Sequence, residues 1–82
     1  MATDSWCVQR KFQHCHFQTV RGSYQTEAKA KVAAYKESKS VLGNYRWRIV
    51  CDGGPQEGRI LEAEFVPGKR SVWTVTQEAH KL

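Results

Sequence analysis

The sequence predicts an α+β fold, one α-helix packed on a curved antiparallel sheet in the order β-β-α-β-β-β. Three observations carry it: TEAKAKVAAYKESKSVLG has the composition and boundary residues of a helix, three segments after it alternate apolar and polar residues, and the segment before it alternates with a change of phase. At 82 residues the chain forms one domain, near the lower end of what folds unaided.

Trp6, Val8 and Phe12 share one parity, Phe17 falls on the other, and Val20 and Tyr24 return to the first. A turn between Phe12 and Phe17 explains the reset, so strands of about 6 to 12 and 17 to 25 flank QHCH. If 6 to 25 is instead one bent strand, the order becomes β-α-β-β-β.

The helix is expected from Glu27 to Leu42. Thr26 suits the N-cap, Glu27 favours the positive end of the helix dipole, and Gly43 with Asn44 makes a natural stop. Projected at about 100° per residue, Ala28, Val32, Tyr35 and Leu42 fall together with Ala34 and Val41 at their flanks, which predicts the buried stripe. Lys29 and Lys36 point away from that stripe, and Lys31 and Lys39 sit at its margins.

In YRWRIVC, Tyr45, Trp47, Ile49 and Cys51 alternate with Arg46, Arg48 and Val50. DGGPQEG breaks the chain, RILEAEFV opposes Leu61, Ala63 and Phe65 to Ile60, Glu62 and Glu64, and RSVWTVTQ follows PGK. The three segments read as a meander. Centring the first hairpin on Pro55 sets Tyr45, Trp47 and Ile49 against Phe65, Ala63 and Leu61, and Arg46, Arg48 and Val50 against Glu64, Glu62 and Ile60. Apolar meets apolar and charge meets opposite charge, a match that a one-residue slip would destroy. Centring the second hairpin on Gly68 sets Trp73 against Ala63 and Val75 against Leu61.

The first residues lack a basic segment followed by an apolar core, and no apolar run reaches membrane-spanning length, so a soluble cytoplasmic protein without membrane contact is expected. Cys7, Cys15 and Cys51 are odd in number and lack CxxC spacing, which suits reduced thiols. Thirteen Lys and Arg against eight Asp and Glu give +5. Residues 1 to 44 hold +4 of this, seven basic against three acidic, so attraction to nucleic acid or an acidic partner should come from the first half.

Three kinds of chemistry are open to these residues. His14 and His16, either side of Cys15, have a chelating spacing, but a closed zinc site needs four ligands and would have to recruit Cys7, Cys51 or His80. A polar turn without metal or cofactor is the expectation. Strand alternation aims Cys15 away from both imidazoles, Cys51 lies on the core face, and no nucleotide-binding glycine loop is present, so no catalytic centre is expected. The basic residues Lys29, Lys31, Lys36 and Lys39 of the helix, with Arg10, Lys11 and Arg21 of the N-terminal hairpin, are the candidate binding site for phosphates or an acidic surface.

Two resemblances bear on partners. GSYQTEAKAKVAAYKE, Gly22 to Glu37, resembles the strand-to-helix entrance of the arm-binding domains of phage-type integrases, although the three strands after the helix depart from that family's order. The layout as a whole resembles small phage-encoded anti-CRISPR proteins. The first resemblance implies nucleic acid or a nucleoprotein complex as partner, and the second implies a bacterial defence protein, blocked by occlusion. An unpaired terminal strand would also admit a homodimer.

Overall fold

The computed structural model describes residues 3–41, 43, 45–66 and 68–80. Its elements are β1 (Ser5–Phe12), β2 (Gln18–Tyr24), α1 (Glu27–Ser38), β3 (Tyr45–Gly53), β4 (Ile60–Ala63) and β5 (Thr74–Gln77), which is the predicted order with two N-terminal strands. The strands form one antiparallel sheet in spatial order β2-β1-β3-β4-β5. Because β1 runs antiparallel to both β2 and β3, those two share a direction. Strands that share a direction need a crossover rather than a tight turn, and α1 supplies it by carrying the chain over β1.

The turn after β1 closes on a 3.0 Å hydrogen bond from the Cys15 N–H to the Phe12 carbonyl, with Gln13 at φ 50°. His14, Cys15 and His16 are exposed there, as a polar turn requires. Pairing of β1 with β2 shifts register twice, at Trp6/Cys7 and at Val8/Gln9, and each such irregularity bends the ladder.

Between β3 and β4 the observed partners are Trp47 with Ala63, Arg48 with Glu62, Ile49 with Leu61 and Val50 with Ile60, the register expected of a hairpin centred on Pro55. The side-chain charges do not follow that register throughout. Arg48 also lies opposite Gln9 of β1, and its Nε donates to Gln9 Oε1 at 2.6 Å while its guanidinium stacks 4.0 Å from the Phe17 ring centroid. Glu62 therefore goes to Arg46, which also reaches Glu64, at 2.9 and 3.0 Å. β4 ends at Ala63, so the expected pair of Tyr45 with Phe65 lies beyond the ladder, and both rings lean on Trp47, at 6.3 and 6.2 Å. Leu61 pairs with Val75 as predicted, whereas Trp73 precedes β5 and packs edge-on against Phe65 at 5.8 Å.

The helix is shorter than predicted, and the expected Leu42 lies outside the described residues. Near its end Ser38 Oγ donates to the Tyr35 carbonyl at 2.6 Å and Ser40 Oγ to the Glu37 carbonyl at 2.8 Å. Hydroxyls that bond nearby carbonyls compete with the helical ladder, and the chain leaves it at Lys39.

The buried stripe is also corrected. Ala30 and Ala34 are the helix residues with no exposed surface, while Ala28 is exposed, Val32 is 54% exposed and Tyr35 is 44% exposed. Of the expected stripe and its flanks, only the flanking Ala34 and Val41 pack on the core among the described residues. The reason is size. Two alanines one turn apart let the helix approach a sheet surface already filled by Trp6 and Trp47, where a Val or Tyr would overfill the space. The core thus consists of Trp6, Val8, Ala30, Ala34, Trp47, Ile49, Cys51 and Leu61.

Helix α1 lies against β1, β2 and β3. The C-terminal segment closes on the β3–β4 turn through the His80 N–H to the Glu57 carbonyl at 2.8 Å and Gln77 Nε2 to the Gly58 carbonyl at 2.6 Å. Gly58 has φ +97°, and a Cβ there would collide with the His80 ring. Among the described residues no helix is long and apolar enough to cross a membrane.

Candidate nucleic-acid interface

The cap that starts α1 fixes where its lysines point. Thr26 Oγ1 accepts from the Lys29 N–H at 3.2 Å, which sets the first turn, and the buried pair Ala30 and Ala34 then sets the rotation of the whole helix. Lys29 and Lys36 consequently flank an outward patch of Tyr24, Ala28, Val32 and Ala33. Lys31 turns toward the other side, paired with Glu27 at 3.0 Å and 5.9 Å from the Trp73 ring centroid. Lys39, just past the helix, places its ammonium 4.6 Å from the Tyr35 ring centroid.

The hairpin cations separate as well. Arg21 Nε contacts Glu37 at 2.6 Å, which ties β2 to the helix, and that carboxylate's hydrogen bond and charge raise the arginine's affinity for its proton. Arg10 lies over Tyr45 and Trp47, 4.9 and 5.9 Å from their centroids, and Lys11 lies 5.2 Å from that of Phe17. The seven basic residues singled out in the sequence therefore do not form one continuous face. Lys11 and Lys39 meet at one site, Lys29 and Lys36 at another, Arg21 and Lys31 hold carboxylates, and Arg10 covers rings.

Lys11 and Lys39 meet at a cleft of about 840 Å³ between the end of α1, the start of β3 and the segment leading from β4 to β5. Tyr35, Tyr45, Trp47 and Phe65 give it aromatic walls, with Tyr35 and Phe65 edge-to-face at 5.7 Å. Trp47 is buried beneath, while Tyr45 and Phe65 are half-buried. Lys11, Lys39, Arg46 and Lys69 stand around it, and its one carboxylate among the described residues, Glu64, accepts from Arg46. The described lining holds neither histidine nor cysteine, so its chemistry is that of stacking rings and positive charge.

Sequence reasoning assigned Tyr35, Tyr45 and Phe65 to the core, against which Tyr45 and Phe65 do pack while Tyr35 is exposed, and it missed Lys69. The usable signal was an excess of aromatic surface: one helix with an alanine face cannot cover four rings at the end of a five-stranded sheet.

His14, Cys15 and His16 do not line this cleft, and no group of three or more His, Cys, Asp or Glu side chains placed to hold a metal ion gathers among the described residues. Cys7 and Cys51 are buried, and burial pushes both thiols up, which opposes thiolate formation. No family model, curated protein or solved structure matches the chain, so the geometry above is what bears on function.

Proposed function

We propose that this protein is a small non-enzymatic binding module that docks on nucleic acid or a nucleoprotein complex. One observation carries the reading: Lys11, Lys29, Lys36, Lys39 and Lys69 enter no ion pair among the described residues, whereas Arg21, Lys31, Arg46 and Arg59 engage Glu27, Glu37, Glu62, Glu64 and Glu78. Among the described residues the surplus charge thus sits on these five lysines together with Arg10, Arg48 and Arg70, and no ion pair there holds the lysine ammonium groups back from phosphates. Neutralising phosphates releases counterions, and that release is the main source of sequence-independent affinity. Fluorescence anisotropy with labelled single-stranded and duplex oligonucleotides at low salt tests the reading. Binding weakened by Lys29→Glu, Lys36→Glu and Lys39→Glu together supports it, and no binding to either oligonucleotide ends it.

A second reading rests on the outer patch. Val32 is more exposed than a valine in a helix usually is, and it lies between Lys29 and Lys36. An apolar spot with a basic rim suits a protein surface with an acidic rim, the mode of a phage-type inhibitor that occludes a defence complex. Under this reading Val32→Ser, which removes the apolar spot without adding charge between Lys29 and Lys36, weakens capture of a nuclease-treated protein partner and leaves oligonucleotide affinity unchanged. Equal loss of both activities would speak for the nucleic-acid reading alone.

A further inference from the structure

We propose that the aromatic cleft receives an unpaired nucleobase together with its phosphate, which makes single strands the preferred ligand. This rests on the nucleic-acid reading above and goes beyond it in naming the ligand and the site.

Tyr35 offers the stacking surface. It is 44% exposed, held edge-to-face by Phe65, and positioned by α1 rather than by a loop. Its ring is occupied in the unbound protein by the Lys39 ammonium at 4.6 Å. A base entering the cleft takes that place, and the displaced ammonium remains within reach of the incoming phosphate. Lys11 and Lys69 stand on the rim to meet the same backbone. Repulsion from Glu64 is reduced by its exposure to solvent and by Arg46 at 3.0 Å, a charge it shares with Glu62. A volume of about 840 Å³ falls in the range of sites for small ligands, roughly 300–1,000 Å³, and accommodates a base with its sugar.

A duplex cannot use such a site. Its bases are stacked on both faces, whereas an unpaired base can be splayed out and laid on a tyrosine. Stacking on an aromatic ring accepts any base, because each has a π-face. The described lining holds no bidentate reader of a base edge apart from the side chains of Gln13 and Arg46, so weak sequence preference is expected.

The test uses the whole chain and three 12-mers, each followed by anisotropy at constant salt: a single strand, the same strand with abasic sites throughout its centre and therefore the same charge, and a duplex, which carries about twice that charge. The single strand is expected to bind at least about tenfold tighter than the abasic strand, a comparison made with the unaltered protein. Tyr35→Ala should remove about that factor for the single strand and leave the duplex and the abasic strand unchanged. Tyr35→Phe, which keeps the ring, should restore affinity to within about twofold. Equal affinity for the intact and abasic strands, or a Tyr35→Ala loss shared by the duplex, overturns the base site while leaving a phosphate-binding module. Absence of binding to all three overturns the site and the reading beneath it.

Discussion

Glu27 Oε1 accepts from Arg59 Nε at 3.1 Å, so the first turn of the helix is fastened to the chain between β3 and β4. Glu27 also pairs with Lys31, and Arg59 with Glu78 at 2.6 Å, which extends the link to the segment after β5. Burial pushes the Glu27 carboxyl up, but hydrogen bonds and charge from Lys31 and Arg59 outweigh it and hold the group below the usual carboxylate range. Glu27→Gln should destabilise the fold by about 0.5–1 kcal/mol at neutral pH. Because the folded value is lowered, the contribution is complete above the ordinary carboxylate range and is lost as pH falls through the folded value. Urea midpoints of the two proteins should therefore differ at neutral pH and converge under strongly acidic conditions. A gap that widens in acid would contradict this assignment.

The helix face gives a second prediction. Ala34→Leu should cost about 1–3 kcal/mol by overpacking the contact with the sheet, whereas Val32→Ala should change stability by less than about 0.5 kcal/mol. The sequence stripe implies the reverse order for these two positions. Thermal unfolding of both variants decides between them.

That reversal shows where the sequence was legible. The β3–β4 register could be read because each of Trp47, Arg48, Ile49 and Val50 finds a matching partner and a slip loses all four at once. The helix carried no such constraint. Five alanine and valine residues surround it, and hydropathy ranks Val32 above Ala30 although contact distance at the sheet favours the smaller side chain. Arg48 stands opposite Glu62 as the register predicts, but its side chain turns to Gln9 instead, because the position of β1 beside β3 is not visible in local pattern. The cleft was hidden for the same reason: it joins the ends of β1, α1, β3 and the chain beyond β4, and only the sheet order brings these together.

Gly58 supplies a third prediction. Its φ of +97° disfavours any side chain, and the His80 ring occupies the space where a Cβ would project. Gly58→Ala should destabilise by more than about 1 kcal/mol. Adding His80→Ala should recover the steric part and leave the conformational part. Full recovery in the double variant would show that backbone conformation contributes nothing there.

Trp47 spans both themes, since it is buried in the core and floors the cleft. Trp47→Ala should cost about 3–5 kcal/mol, a loss severe enough to leave little folded protein in a domain of this size. Circular dichroism during urea unfolding would show it, and a midpoint near that of the parent would remove Trp47 from the core.

Salt dependence tests the proposed phosphate contacts most directly. Anisotropy of a labelled single strand measured from about 50 to 200 mM salt should give a log–log plot of affinity that falls linearly, with a slope of roughly −2 to −4 if most of the lysines Lys11, Lys29, Lys36, Lys39 and Lys69, unpaired among the described residues, engage phosphates. Lys29→Gln or Lys36→Gln should each reduce that slope by about one. An affinity independent of salt, or none detectable at the low end, would contradict the assignment of these lysines to nucleic acid.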